Sequence, residues 1–232
     1  MAAVPLRRLR AAAVNIDGVM LDDTFSPVIH HFVTSRGGAY TADVERRIFS
    51  QNQRQAAEVA AEAAGLDWPV EQVLEVYFQE RAEYLERHPL RVLDGAPAMV
   101  ARLRALGLRT VCYGGLARPH FDRFLGEHAG LFDDPVYVCT DAFRPGVREI
   151  VTDVLGLEFD EVLFIDDVAR VAETARGLGA AFIGHPSGFE HGFQPQLMRA
   201  AGVRHLAASP AGVDEWLVRT VDEESANGKL WG

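Results

Sequence analysis

The chain has 232 residues, 48% hydrophobic and 24% charged, enough for one large α/β domain or a core with a small insert. Thirty-three acidic against 23 basic side chains leave a formal net charge of −10. That excludes the basic face that nucleic acid or an anionic membrane surface would require. The opening MAAVPLRRLRAAAVNIDG has the outline of a signal peptide, but its apolar run is too short for a signal core. No other stretch is long and apolar enough to span a bilayer. Residues 11–16 form a short apolar run fit for a buried parallel strand. From 24 to 91 the pattern turns helical: Val44, Ile48, Ala56, Val59 and Ala60 recur at helical spacing, and a second, long helix follows Asp67 and Pro69. Alternation then begins. Helices are expected over 97–106, 146–155 and 168–178, each closed by glycine, and strands over 109–113, 136–139, 161–165 and 180–183. This order predicts an α/β fold, a doubly wound parallel sheet (Rossmann-like) whose first strand is followed by an all-helical insert. The expected boundaries are a core of 1–22 and 93–220, an insert of 23–92, and a loose polar tail of 221–232.

In such a core, ligands bind at the carboxyl ends of the strands. The first strand ends in Asn15 and Asp17, the second in Gly114 and Gly115, and a later one, VLFIDD, in Asp166 and Asp167. Acids that end a buried apolar strand are costly unless solvated, paired or coordinating a cation. Asp166 and Asp167 could simply cap the next helix. With Asp17 at another end of the same sheet, a hard-cation site of Asp17, Asp166 and Asp167 is the better expectation, and oxygen ligands suit magnesium. Cys112 and Cys139 lie in apolar strand-like stretches without metal-ligand spacing, and read as reduced structural thiols of a cytoplasmic protein. His185 and His191, in GHPSGFEHGF, could face the cleft or bind a transition metal, but without carboxylate-rich ligand spacing they read as exposed loop histidines. Arg36 reads as a loop residue, and Trp231 as docked on a partner or on its own chain.

These motifs resemble the haloacid dehalogenase superfamily, in particular the subfamily with a helical cap between its first and second motifs. The resemblance rests on VNIDGV, on LGLRTVCYGG, on AFRPGVREI and on LFIDDVARVAETARGLGA, in that order. It implies a magnesium-dependent reaction in which the first acid of an Asp-x-Asp pair attacks phosphorus and the second acts as acid and base. This chain has Asn15 at the nucleophile position and Asp17 at the acid/base position. Gly114 stands where the resemblance implies a Ser or Thr, with Gly115 beside it, and Arg144 stands where it implies a Lys. These three carry the implied phosphate-binding role.

An amide oxygen is a poor nucleophile, and Gly114 offers no hydroxyl. The expectation is therefore a phosphatase-inactive protein of this fold. It would bind a small anionic ligand or a protein partner through the old cleft, as a monomer or homodimer, with magnesium held weakly or not at all. The alternative is an active magnesium-dependent phosphoester hydrolase, with Asn15 an engineered substitution or with a displaced mechanism. Arg144 has two readings: an anion receptor, or an internal ion pair with Asp166 or Asp167. The acidic composition favours the internal pair.

Overall fold

A computed structural model describes residues 4–232. Five strands, β1 (Ala11–Asn15), β2 (Arg109–Gly114), β3 (Tyr137–Cys139), β4 (Val162–Asp166) and β5 (Ala181–Gly184), form one parallel sheet in the order β3-β2-β1-β4-β5. The central strand β1 is flanked on both sides, so its five residues are all buried. Side chains alternate across the pleat. Ala11, Ala13, Val111, Tyr113, Val162 and Phe164 join one apolar cluster, and Ala12, Val14, Cys112, Leu163, Ile165 and Ile183 the other. A two-sided core of this kind accounts for strands that read as continuous apolar runs.

The second cluster is covered by α5 (Ala96–Ala105), α6 (Arg118–Leu125) and α10 (Glu215–Ala226). Against the first lie α7 (Val147–Glu149), which continues as a π-helical turn Ile150–Leu155, and α8 (Ala169–Leu178). Between β1 and α5 the chain forms four helices: α1 (Phe25–Thr34), α2 (Ala42–Ile48), α3 (Gln53–Ala63) and α4 (Val70–Arg87). The single run of helical spacing from Val44 to Ala60 is thus two helices. Ser50, at φ 54°, breaks them apart, and the Asn52 side chain caps the second by accepting from Gln55 N at 2.9 Å. A short helix α9 (Gln194–Ala200) follows β5.

The tail is not loose. Residues 222–226 complete α10, and the buried Asp222 carboxylate accepts from the backbone N–H groups of Arg7, Arg8 and Leu9 at 2.7, 2.8 and 2.8 Å. Ser225 Oγ donates to Asp160 O, and Trp231 Nε1 donates to Ala180 O at 3.1 Å, so Trp231 docks on its own chain. Of the polar side chains in this segment, Asp222 and Ser225 serve backbone partners, whereas Glu223 and Glu224 pair with Arg7 and with Arg204 and His205.

Candidate functional site

Asn15 is the last residue of β1, and the chain turns sharply after it. Gly18 sits at φ +82°, and a Cβ there would lie 2.2 Å from Asp167 Oδ2. Only glycine allows both the left-handed backbone and the close approach of that carboxylate. The turn returns the chain so that Gly18 N donates to Leu21 O at 2.9 Å. It also aims Asn15 across the strand ends, where its Nδ2 donates to Asp17 O and to Asp167 Oδ1, both at 2.8 Å. One amide group therefore joins the first strand's turn to the acid pair of β4.

Asp166 ends β4, Asp167 follows it, and both are almost fully buried, at 1% and 5% exposure. Asp166 accepts from the Tyr113 hydroxyl and, at 2.7 Å, from Val168 N. Burial pushes both carboxyls above their usual range. For Asp167 the charge of its neighbour adds to that push, and the Asn15 donor offsets part of it. Asp17 is partnered as well, accepting from His120 Nε2 at 2.9 Å.

At the end of β2 the two glycines differ. A Cβ on Gly114 would meet Ile16 Cγ2 at 2.4 Å, so this position faces packed side chains. Gly115 borders the cleft instead, and a Cβ there would lie 2.6 Å from Arg144 Nη2. The expected ion pair between Arg144 and Asp166 or Asp167 does not form; the guanidinium's hydrogen-bond partner is Thr140. The guanidinium lies against the Gly115 backbone and donates through Nη1 to Thr140 Oγ1 at 3.2 Å, while its buried Nε has no partner. Asp166 instead accepts from Tyr113 and Val168 and Asp167 from Asn15, while the Arg144 charge still favours the Asp166 carboxylate through space.

His185 is likewise not an exposed loop residue. It is buried, and its Nδ1 donates to Gly18 O at 2.8 Å, bracing the turn; burial pushes the imidazole below its usual value. His191 is exposed and stacks on His30, with ring centroids 4.5 Å apart. Arg36 pairs with Glu80 at 2.6 Å. His120 and Tyr113 are residues beside the site that sequence reasoning missed, and His185 is one that it placed on the surface. For His120 a signal existed: Pro119 marks a helix start just after β2, which puts the histidine on the first turn at the strand ends.

Asn15, Asp17, Gly115, Arg144 and Asp167 border one cavity of about 150 Å³ between the strand ends and the helices α1 to α4. Gly114 and Asp166 are not on its wall. Among the described residues, no group of three or more His, Cys, Asp or Glu side chains is arranged to hold a metal ion, and no helix is long and apolar enough to cross a membrane.

The architecture is shared with solved proteins. A β-phosphoglucomutase from Clostridium difficile matches with TM-score 0.68 at 9% identity, over 94% of this chain and 99% of that one. A hydrolase from Pseudomonas syringae matches with TM-score 0.66 at 17% identity, over 92% and 98%. A HAD family hydrolase from Deinococcus radiodurans, with bound phosphate and sodium, matches with TM-score 0.61 at 16% identity, over 92% and 97%. At such identities the likeness is one of fold. No curated protein matches the sequence. The family model for haloacid dehalogenase-like hydrolase matches residues 9–179, most of the chain and all five strands but the last, and the protein belongs to that family.

Proposed function

We propose that this member of the family does not run an aspartyl-phosphate reaction and acts by holding a small anionic ligand in the cleft. The observation that carries the reading is the Asn15 side chain. It has no carboxylate to attack phosphorus, and its amide N–H groups point at Asp17 O and Asp167 Oδ1. The implied chemistry needs a magnesium ion among oxygen ligands near this place. The residues as arranged do not fit one. A hydrogen-bond donor already lies against both oxygens, and Asp166 is tied to Tyr113 and Val168. The amide supplies the positive end that a cation otherwise would.

A hydroxyl for phosphate is missing too. Gly114 cannot gain one without displacing Ile16. Arg144, by contrast, keeps a fixed positive charge on the cleft wall, suited to a carboxylate or phosphate. Removing a covalent nucleophile ordinarily removes most of an enzyme's rate enhancement.

The test is hydrolysis of 4-nitrophenyl phosphate with magnesium by the parent chain and by Asn15→Asp. The expected result is no turnover by the parent and little by the variant, because the phosphate-holding hydroxyl is still lacking. Turnover at about 1 per second or faster, or a phosphorylated residue 15, would overturn the reading in favour of a working hydrolase.

A further inference from the structure

Hydrogen bonds between the inserted segment 23–92 and the rest of the chain gather, among the described residues, at two places. One is where the chain enters and leaves the insert. There the main chain pairs with itself: Asp22 N donates to Arg91 O at 3.0 Å, and Leu21 and Val92 form an antiparallel bridge. The other is on α8 and on the loop 185–193 that joins β5 to α9, which α2 grips through side chains. Both Glu45 carboxylate oxygens accept from Phe193 N, at 2.9 and 3.0 Å, and Arg46 donates to both oxygens of Glu173 in α8, at 2.8 and 2.9 Å. Beside them His30 of α1 stacks on His191 and meets the edge of the Phe189 ring, with centroids 4.5 and 5.4 Å apart.

We propose that this second contact is a releasable clasp: Glu45 grips the loop before α9, and letting go of it opens the cavity between the insert and the strand ends. The clasp goes beyond the binding reading above and serves any ligand of that cavity. Three observations carry it. The first is position. Ile48 and Ser50, just after Glu45 on the chain, are on the cavity wall, and so is Val168, just before α8. Gln194, next to Phe193, is buried, and its Oε1 accepts from Ala169 N at 2.7 Å. The gripped loop is thereby tied to the first turn of α8, directly after Asp167 and Val168.

The second is the kind of contact. Glu45 is 0% exposed, and its donors are Phe193 N and the Tyr40 hydroxyl, the latter at 2.8 Å. Neither carries a charge. A carboxylate held this way has given up water without gaining a cation. When the insert lifts, water returning to the carboxylate offsets the lost bond to Phe193. The Arg46–Glu173 pair is part-exposed, and water replaces it at little cost. Local opening starts where attachments are of this kind, and not where the backbone is paired and the chain continuous.

The third is the state of the walls. Ala57, Ala60 and Val73 line the cavity from the insert and are buried, as are Asn15 and Asp167 on the core side. A ligand that touches both walls needs them parted first.

Thiol accessibility in the full chain tests this. Ala57→Cys puts a reporter on the cavity wall, at a position 4% exposed. Cys139→Ser removes the exposed native thiol, and the buried Cys112 remains as a reference for unfolding. The rate of alkylation by iodoacetamide is read for each thiol by mass spectrometry. Adding Glu45→Ala should speed alkylation of the reporter about tenfold or more, the effect of losing one charge-assisted hydrogen bond, and leave Cys112 unchanged. Glu45→Gln, which keeps an oxygen for Phe193 N, should speed it less than Glu45→Ala, and Arg46→Ala should speed it only about twofold. An unchanged reporter rate in Glu45→Ala would overturn the clasp. So would a parallel rise at Cys112, because the chain would then be unfolding as a whole. If Glu45→Ala does not fold, Tyr40→Phe combined with Arg46→Ala carries the test: a rise of about threefold or more at the reporter alone is expected, and no rise overturns the clasp. Either failure leaves the binding reading standing, since that reading rests on Asn15 and Arg144.

Discussion

Asn15 and Gly18 do their work within four residues of each other. Asn15 supplies a donor where a carboxylate would supply an acceptor, and Gly18 leaves room for the Asp167 carboxylate. Gly18→Ala should therefore be strongly destabilising. It places a side chain at φ +82° and drives a Cβ into Asp167. A loss of more than about 2 kcal/mol in urea unfolding is expected; a loss below about 0.5 kcal/mol would mean that the turn or the acid moves freely. That Asn15, Asp17, Asp166 and Asp167 stand at the ends of strands was legible in the sequence. What Asn15 holds was not. Its partner Asp167 lies 152 positions away, and no local pattern encodes which oxygen an amide will meet. Arg144 shows the same limit: its type and place were readable, but its hydrogen-bond partner, Thr140, was not.

Among the elements, α2 shows how a helix is fixed from a distance. Its buried Glu45 accepts from the Tyr40 hydroxyl at 2.8 Å and from Phe193 N, just before α9, at 2.9 Å. Burial pushes this carboxyl above its ordinary value of 4.5, with the hydrogen bonds offsetting part of the effect. The folded chain then holds the proton more tightly than the unfolded chain. Stability from this group is fully present below the ordinary value and is lost as pH rises through the raised one. Glu45→Gln keeps an oxygen acceptor and removes the titration. The stability difference between the variant and its parent should shift in the variant's favour as pH rises from roughly 4 to 8. A difference that does not change with pH, measured by thermal melting across that range, would contradict the raised value. The strands and the glycine-closed helices of the core were legible because a period of two or 3.6 and a terminal glycine are local signals. The end of α10 was not, since its polar Asp222 and Ser225 face backbone groups of distant segments.

For the whole molecule, alternating strands and helices were enough to give a parallel α/β sheet, and the expectation that a crevice opens at the carboxyl ends of the strands agrees with the position of the cavity. The cavity was less readable. Its apolar wall is assembled from several helices whose mutual packing depends on long-range contacts, and its polar end from three strand ends. These two halves make a cleft in which the Asn15 amide lies against Asp17 O and Asp167 Oδ1. The most direct measurement is the melting temperature of the parent and of Asn15→Asp, each in magnesium and in EDTA. The parent should melt at the same temperature in both. Asn15→Asp turns a donor into a third carboxylate facing Asp167, so in EDTA it should be less stable than the parent by about 2–3 kcal/mol, and magnesium should recover much of that loss. A parent chain stabilised by magnesium to the same extent as the variant would contradict the claim that Asn15 takes the cation's place.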